Sequence, residues 1–190
     1  MNKGTIRKEV LRRRNSITEE DKKAKDDFIK KTLTCLPEFE KAHTVLFYAS
    51  YKSEVDTFRL MQYCLSKGKT IALPKVEPES SELKLYEIMD LSELSTGYQN
   101  IPEPNVSEDR VLQVKDIDLI IVPGVAFDVS CNRLGYGKGF YDKMLNEKSC
   151  PAIALSYEEQ IVDSVPAESH DIKMDKIITD KRIITHNGYQ

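Results

Sequence analysis

The chain has 190 residues, of which 40% are hydrophobic and 31% charged, and its 28 Lys and Arg against 31 Asp and Glu leave a formal net charge of -3. That length is enough for one domain with a real core, and no run approaches the ~18 apolar residues that a membrane span needs. The slight acidity argues against wholesale binding to nucleic acid or to an anionic membrane, since both draw on excess cationic surface.

The start, MNKGTIRKEVLRRRNS, has no apolar block followed by a small-residue cleavage site, so a cytoplasmic location is expected. Within residues 1–14, Lys3, Arg7, Lys8, Arg12, Arg13 and Arg14 face only Glu9. Such a run is either a solvated helix face or a local patch for an anion. Ile6, Val10 and Leu11 recur at helical spacing and predict a helix over 3–14 that buries one edge and leaves the basic residues outside. A second helix follows in SITEEDKKAKDDFIKKTL, with Thr18 as N-cap, acids in its first turn and Lys30 and Lys31 near its end; Pro37 closes this helical entry.

TVLFYAS, rich in β-branched and aromatic residues, reads as a strand, followed by the polar loop YKSEVDT. FRLMQYCLSKG then sets Phe58, Met61 and Leu65 on one helical face before a stop at Gly68, and TIALPK is another strand. Strand, helix and strand make a βαβ unit, the building block of parallel sheets. In the middle, Leu83, Leu85 and Glu87 suggest a strand, while Pro102 and Pro104 mark a loop. DIDLIIVPG is a continuous apolar run, as expected of a strand buried on both faces. A glycine-rich loop, a helix from about Phe140 to Asn146, the strand PAIALSY and the late strands KIITD and RIITH complete the pattern. The expectation is one α/β domain over 1–190, an open, largely parallel, Rossmann-like sheet covered by helices, with helices at the N-terminus and a ligand beyond the strands' carboxyl ends. Cys35, Cys64, Cys131 and Cys150 are widely spaced without a CxxC pair and read as reduced thiols.

Chemistry concentrates in NRLGYGKGFYD, where Gly135, Gly137 and Gly139 alternate with larger residues ahead of a helix. Glycine allows close approach and φ > 0, so successive N–H groups can converge on an anion, and the helix adds its positive end. Phosphate is the natural guest, to which Arg133 offers a bidentate fork and Lys138 a compact charge. The spacing fits neither of two familiar motifs. A P-loop needs GxxxxGK[ST], whereas no Ser or Thr follows Lys138, and a dinucleotide fingerprint needs GxGxxG, whereas these glycines read GxGxG. Alone, the loop reads equally as a phosphate cradle or a structural turn. Asp142 suits the first turn of a helix, yet a carboxylate beside bound phosphate calls for an intervening cation such as magnesium. A second acid is available in HDIKMD as Asp171 or Asp175.

These residues resemble the 5-formyltetrahydrofolate cyclo-ligase, or methenyltetrahydrofolate synthetase, family. Its signature is similar to VPGVAFD and RLGYGKGFYD at this spacing, with weaker echoes in KGTIR, SEVDT, IALPK, ALSYEEQI and HDIKMD that extend the resemblance over nearly the whole chain. The resemblance implies an enzyme that converts ATP and 5-formyltetrahydrofolate, with or without a polyglutamate tail, to 5,10-methenyltetrahydrofolate, ADP and phosphate, using Mg2+. Transfer of the γ-phosphoryl group to the formyl oxygen makes an activated iminium phosphate that N10 attacks, so the protein has mainly to orient reactants and stabilise charge.

By the same resemblance, Lys3, Arg7, Arg133, Leu134, Gly135, Tyr136, Gly137, Lys138, Gly139, Phe140 and Tyr141 bind ATP, and Arg133 and Lys138 are also catalytic. Ala49, Glu54 and Tyr136 contact the folate, Glu54 through the pterin's N–H edge, and Asp142 and Asp171 hold magnesium. Tyr51 and Tyr157 are pocket walls. A monomer without nucleic-acid or membrane partners is expected. Two positions depart from the family pattern. Cys131 stands where glycine is expected, so its turn either avoids φ > 0 or is strained, and Phe140 replaces a tyrosine, removing a hydroxyl. Two other readings compete: a sugar-phosphate or CoA-handling enzyme on a related sheet, and an RNA-binding module using the basic first helix, which would bind with strong salt dependence. Alanine at Arg133 or Lys138 is expected to lower turnover by orders of magnitude and leave the fold intact.

Overall fold

A computed structural model describes residues 2–80, 82–168, 171–185 and 188–189. Three helices come first: α1 (Lys3–Asn15), α2 (Glu19–Thr34) and the short α3 (Pro37–Lys41). The side chain of Asn2 caps α1 by accepting from the Thr5 N–H, and Thr18 caps α2 by accepting from Asp21, which satisfies donors that a first turn leaves open. Pro37 occupies the first turn of α3, where its missing N–H has no helical acceptor to lose.

The predicted βαβ unit is present as β1 (Thr44–Leu46), α4 (Phe58–Ser66) and β2 (Thr70–Glu77), with β1 and β2 parallel. β3 (Glu82–Ile88) returns antiparallel along β2. β4 (Leu94–Thr96) and β5 (Pro102–Pro104) then pair as a separate ribbon before β6 (Val111–Leu112) joins β3. That ribbon corrects the reading of Pro102 and Pro104 as a loop: a two-stranded ribbon has an outer edge on each strand, where a residue lacking an N–H is tolerated.

The rest of the chain forms β7 (Leu119–Val122), β8 (Ala126–Asp128), β9 (Arg133–Leu134), α5 (Phe140–Leu145), β10 (Ala152–Leu155), β11 (Ile161–Val162), β12 (Lys176–Ile178), β13 (Ile183–Thr185) and β14 (Gly188–Tyr189). The main sheet runs β14-β13-β12-β10-β7-β1-β2-β3-β6, and a small sheet runs β11-β8-β9. From β12 to β2 the strands are parallel, and the outer ones are antiparallel. The late strands KIITD and RIITH are β12 and β13; His186, which ends the second, and His170 of HDIKMD lie outside the described residues. Counted in chain order, the five parallel strands lie as 2-1-3-4-5, and the direction of winding reverses between β1 and β7.

The alternation of a strand distributes β7 between two cores. Leu119 and Ile121 pack with Phe39, Leu60 and Met61 from α3 and α4, whereas Ile120 and Val122 pack with Met144 and Leu145 of α5. Ile6 and Val10 of α1 bury against Val125, Ala126 and Leu134 of the small sheet and its approach. Helix α1 is thereby fixed beside β9 and the loop that leaves it.

Glu93, at the entry to the ribbon, takes a two-pronged hydrogen bond from Arg110, with Nη1–Oε1 at 2.7 Å and Nη2–Oε2 at 2.9 Å. The Arg110 guanidinium is the main reason its carboxyl falls from an ordinary 4.5 to about 2. A depressed folded pKa contributes stability that is full above the unfolded value and lost as pH falls through the folded one. Thermal melts of wild type and Glu93→Gln should therefore differ most near neutral pH and converge as the pH is lowered from 4.5 to about 2; a difference that stays constant across that window would contradict the pairing.

Candidate functional site

Ala49 follows the end of β1 and Pro123 the end of β7, so the reversal of strand order leaves an opening between them. A cavity of about 700 Å3 occupies it, a size suited to small-molecule ligands. Lys3 and Arg7 reach it from α1, Ala49 and Glu54 from the segment after β1, Arg133 to Asp142 from β9, its loop and α5, and Asp171 from the approach to β12. All the residues assigned to ATP, folate or magnesium in the sequence reading are thus brought together. Tyr51 also lines the cavity. Tyr157 does not: it is fully buried behind the Glu54 turn, where its hydroxyl donates to Asp26 Oδ1 at 2.6 Å, which corrects its reading as a pocket wall.

The glycine-rich loop leaves its donors without a partner: among the described residues, no acceptor takes a hydrogen bond from the amides of Gly135 to Gly139. Gly139 enters α5 at φ 74°, a left-handed conformation that costs other residues strain. At Gly135 the constraint is contact instead, since a Cβ there would lie 2.9 Å from Arg133 Nη1 and push the guanidinium aside. Helix α5 spans only six residues, so the loop's own N–H groups, rather than a long helix dipole, are what the loop can offer an anion. Lys138 is exposed at the centre of this loop.

Side chains from other elements set the loop's shape. Arg7 Nε donates to the Gly135 carbonyl at 2.9 Å. Arg133, only 8% exposed, donates through Nη2 to Asp142 Oδ1 at 2.5 Å and through Nη1 to the Pro123 carbonyl at 3.3 Å. Its guanidinium also lies 5.9 Å from the centre of the Tyr141 ring. Upstream, Cys131 adopts φ 62° while fully buried, so the turn is left-handed and a residue with a Cβ bears a strain of about 1 kcal/mol or more. Asp128 holds that turn: its carboxylate accepts from the amides of Ser130, Asn132 and Val165 and from Asn132 Nδ2.

On the other wall, Glu54 is 8% exposed and turned back over its own segment. Its Oε2 accepts from the Tyr51 amide at 2.9 Å, and its Oε1 accepts from the Tyr136 hydroxyl at 2.6 Å. Burial pushes the Glu54 carboxyl above the ordinary range, opposed by the Tyr136 hydroxyl, the Tyr51 amide and the charge of Arg14. Arg14 itself is 4% exposed, contrary to the expectation that the basic residues of α1 stay outside. Lys3, Arg7, Leu11 and Arg14 form one stripe of the helix facing the cavity, because Ile6 and Val10 anchor the adjacent stripe on the small sheet. The RNA-binding reading thereby loses three of the cations it relied on.

Arg14 was missed in the sequence reading, although its spacing of seven from Arg7 would have placed both on one face. The β4–β5 ribbon was missed as well: Tyr98, Gln99 and Glu103 line the cavity, and the Tyr98 ring meets Phe140 edge-on with centroids 6.2 Å apart. Phe140 therefore has a packing role that needs no hydroxyl.

Asp142 and Asp171 both line the cavity, and each carboxylate has a cation beside it: Arg133 for Asp142, and for Asp171 the Lys3 ammonium at 3.2 Å. Lys3 also pairs with Glu168 at 2.7 Å, the chief cause of its raised pKa. Asp175, the alternative acid, instead accepts from the Ala152 amide and Lys148. No group of three or more His, Cys, Asp or Glu suited to a metal occurs among the described residues. Two oxygen-donor carboxylates beside an anion cradle nevertheless fit magnesium, which takes few protein ligands and completes its shell with water and phosphate oxygens.

The family model described as the 5-formyltetrahydrofolate cyclo-ligase family matches residues 1–180. The chain is 30% identical over 179 residues to a 5-formyltetrahydrofolate cyclo-ligase of Escherichia coli (strain K12), covering 92% of this chain and 98% of that one. It is 31% identical over 165 residues to a probable 5-formyltetrahydrofolate cyclo-ligase of Schizosaccharomyces pombe, covering 78% and 80% respectively. Among solved structures it is similar to the Aquifex aeolicus 5,10-methenyltetrahydrofolate synthetase, with a TM-score of 0.87 and 35% identity over 100% of this chain and 95% of that one.

Arg133 and Lys138 differ in what surrounds them, which revises the expectation that alanine at either leaves the fold intact. Arg133→Ala strands the Asp142 carboxylate and opens a hole beside Tyr141, so it should cost about 3 kcal/mol of stability. Lys138→Ala removes an exposed side chain and should leave the denaturant midpoint unchanged. Urea titrations of the two variants check the contrast.

Proposed function

The chain belongs to the 5-formyltetrahydrofolate cyclo-ligase family, and from that premise we propose that its cavity holds ATP beside 5-formyltetrahydrofolate and closes the methenyl ring as ATP is cleaved to ADP and phosphate. The observation that carries this reading is the run of unpaired amides from Gly135 to Gly139 opening into the same cavity as the buried carboxylate of Glu54.

The reaction needs activation because a formyl oxygen bound to an amide-like carbon is a poor leaving group. Attack of that oxygen on the γ-phosphorus breaks the bond to ADP and gives an iminium phosphate. N10 then bonds to the carbon and gives up its proton, and the C–O bond breaks to release phosphate carrying the former formyl oxygen. No protein nucleophile is required. The loop amides, Lys138 and Arg133 meet the charge that spreads over the phosphoryl oxygens, and Arg133, held by Asp142 and the Pro123 carbonyl, needs little reorganisation during transfer. Lys3 and Arg7 bring two more cations from α1 to the phosphates. Glu54 accepts from the pterin's N–H edge, and Ala49 bounds the same end of the pocket. The iminium phosphate must be kept from water, and the Tyr98–Phe140 pair adds apolar surface to the cavity lining. Asp142 and Asp171 would hold a magnesium ion that, when bound, screens the phosphates and polarises the γ-phosphoryl group.

The whole of 1–190 acts as one catalytic domain, as a monomer, on folate with or without a polyglutamate tail, and without nucleic-acid or membrane partners. No helix among the described residues is long and apolar enough to cross a membrane. Cys35, Cys64, Cys131 and Cys150 are free thiols, in keeping with a reducing compartment such as the cytoplasm.

Mixing the protein with 5-formyltetrahydrofolate and Mg-ATP should produce the near-ultraviolet band of the methenyl product together with ADP in equal amount. ATP cleavage without that band, or the band without ATP, would overturn the reading. Lys138→Ala should lower kcat by about a hundredfold or more, and Glu54→Gln should raise the KM for the folate by about tenfold with a smaller effect on the KM for ATP.

A further inference from the structure

Arg14 is a cavity-lining cation that the reaction above does not use, and it is nearly as buried as the core. A buried guanidinium is costly unless its donors and its charge are answered. Among the described residues Arg14 makes no ion pair; its Nη2 donates to the Tyr136 hydroxyl at 3.1 Å and its Nε to Ser53 Oγ at 3.0 Å. One acceptor, the Tyr136 hydroxyl, leads on to the Glu54 carboxylate, while Ser53 holds the guanidinium from the other side. The Tyr136 hydroxyl donates to Glu54 Oε1 at 2.6 Å. Ser53 precedes Glu54 in the turn whose Tyr51 amide donates to Oε2, and its own hydroxyl donates to Asn15 Oδ1, beside Arg14 in sequence. A hydroxyl that accepts from a guanidinium is a stronger donor to the next group.

The groups around Glu54 leave the charge of Arg14 without a substitute. Tyr136 and Tyr141 face it from the loop and α5, and Tyr48 from the segment after β1; burial pushes all three hydroxyls above their ordinary values, so they stay neutral. Tyr157 meets the Glu54 carbonyl from below, and Lys52 leans over the Tyr51 ring at 5.0 Å. Arg14 is the cation that acts to lower the Glu54 pKa.

We propose that Arg14 is a positioning residue for the formylfolate: held by Ser53 and acting through Tyr136, it keeps Glu54 in place as an ionised acceptor for the folate's N–H groups. The inference rests on the assignment of Glu54 to the folate. It adds a residue of α1 that touches neither substrate and links the folate acceptor to the phosphate loop through Tyr136.

The test is equilibrium binding of 5-formyltetrahydrofolate without nucleotide, measured across pH, with Mg-ADP binding measured separately. In wild type, affinity should fall as pH drops through the raised Glu54 pKa. Removing a nearby cation favours the neutral acid, so Arg14→Met should weaken folate binding about tenfold at neutral pH, move the midpoint of that fall to higher pH, and weaken Mg-ADP binding by much less. Arg14→Lys should recover part of the affinity and return the midpoint toward wild type. Ser53→Ala should lose less in the same direction, and these two variants carry the test should Arg14→Met not fold. Wild type that does not bind the folate, or Glu54→Gln that binds it as well as wild type, overturns the Glu54 assignment itself. With that assignment intact, an unshifted midpoint in the Arg14 variants, or equal losses for folate and Mg-ADP, overturns the role of Arg14.

Discussion

A row of main-chain donors with no partner inside the protein is an unfavourable way to build a loop unless water or a ligand takes the bonds and the rest of the fold keeps the loop from closing on itself. In this protein the loop from Gly135 to Gly139 is kept open by side chains that bond elsewhere along it. Arg7 holds the Gly135 carbonyl, Arg133 spans from the Pro123 carbonyl to Asp142, and the Tyr136 hydroxyl rests on Glu54. The anchors come from α1, β9 and the turn after β1, so the loop has its shape only when all three are assembled.

The position of those anchors follows from topology. Winding to one side from β1 and to the other from β7 separates the segments that leave the two strands. The small sheet then acts as a platform between α1 and the loop. Two residues of the recognisable motifs serve that platform instead of a ligand. Asp128 gathers four donors around the turn that precedes β9, and Gln160 Nε2 donates to the carbonyls of Gly124 and Val125. Their burial makes the entry to the loop rigid enough to hold Cys131 at a positive φ.

What could be read from the sequence is what depends on short-range pattern. DIDLIIVPG announced a strand buried on both faces because β7 presents each face to a different core, and the alternating glycines announced a loop with unpaired donors. The ribbon was not readable. The left-handed positions of its turn fall on Gln99 and Asn100, at φ 55° and 63°, rather than on the neighbouring Gly97, and prolines that normally signal a loop occupy β5. Nor was the burial of Arg14, since a run of arginines looks the same whether it faces water or a cavity, and only the packing of Ile6 and Val10 on the small sheet decides which. Tyr157 was misread for the related reason that an aromatic near a strand end can lie in front of a binding segment or behind it.

Tyr136 shows why the two halves of the pocket cannot be treated as separate. It lies between Gly135 and Gly137, within the anion loop, yet its hydroxyl is bonded to the carboxylate on the opposite wall. A ligand on the loop amides that moves the Tyr136 backbone also changes the hydrogen bonding of Glu54, and a ligand on Glu54 that competes for Oε1 also loosens the loop. Linkage requires the two effects to be equal in free energy. The fold meets the opposing demands by placing glycines on either side of Tyr136 and a buried guanidinium on its hydroxyl: the backbone keeps room to adjust while the phenol end stays against Glu54.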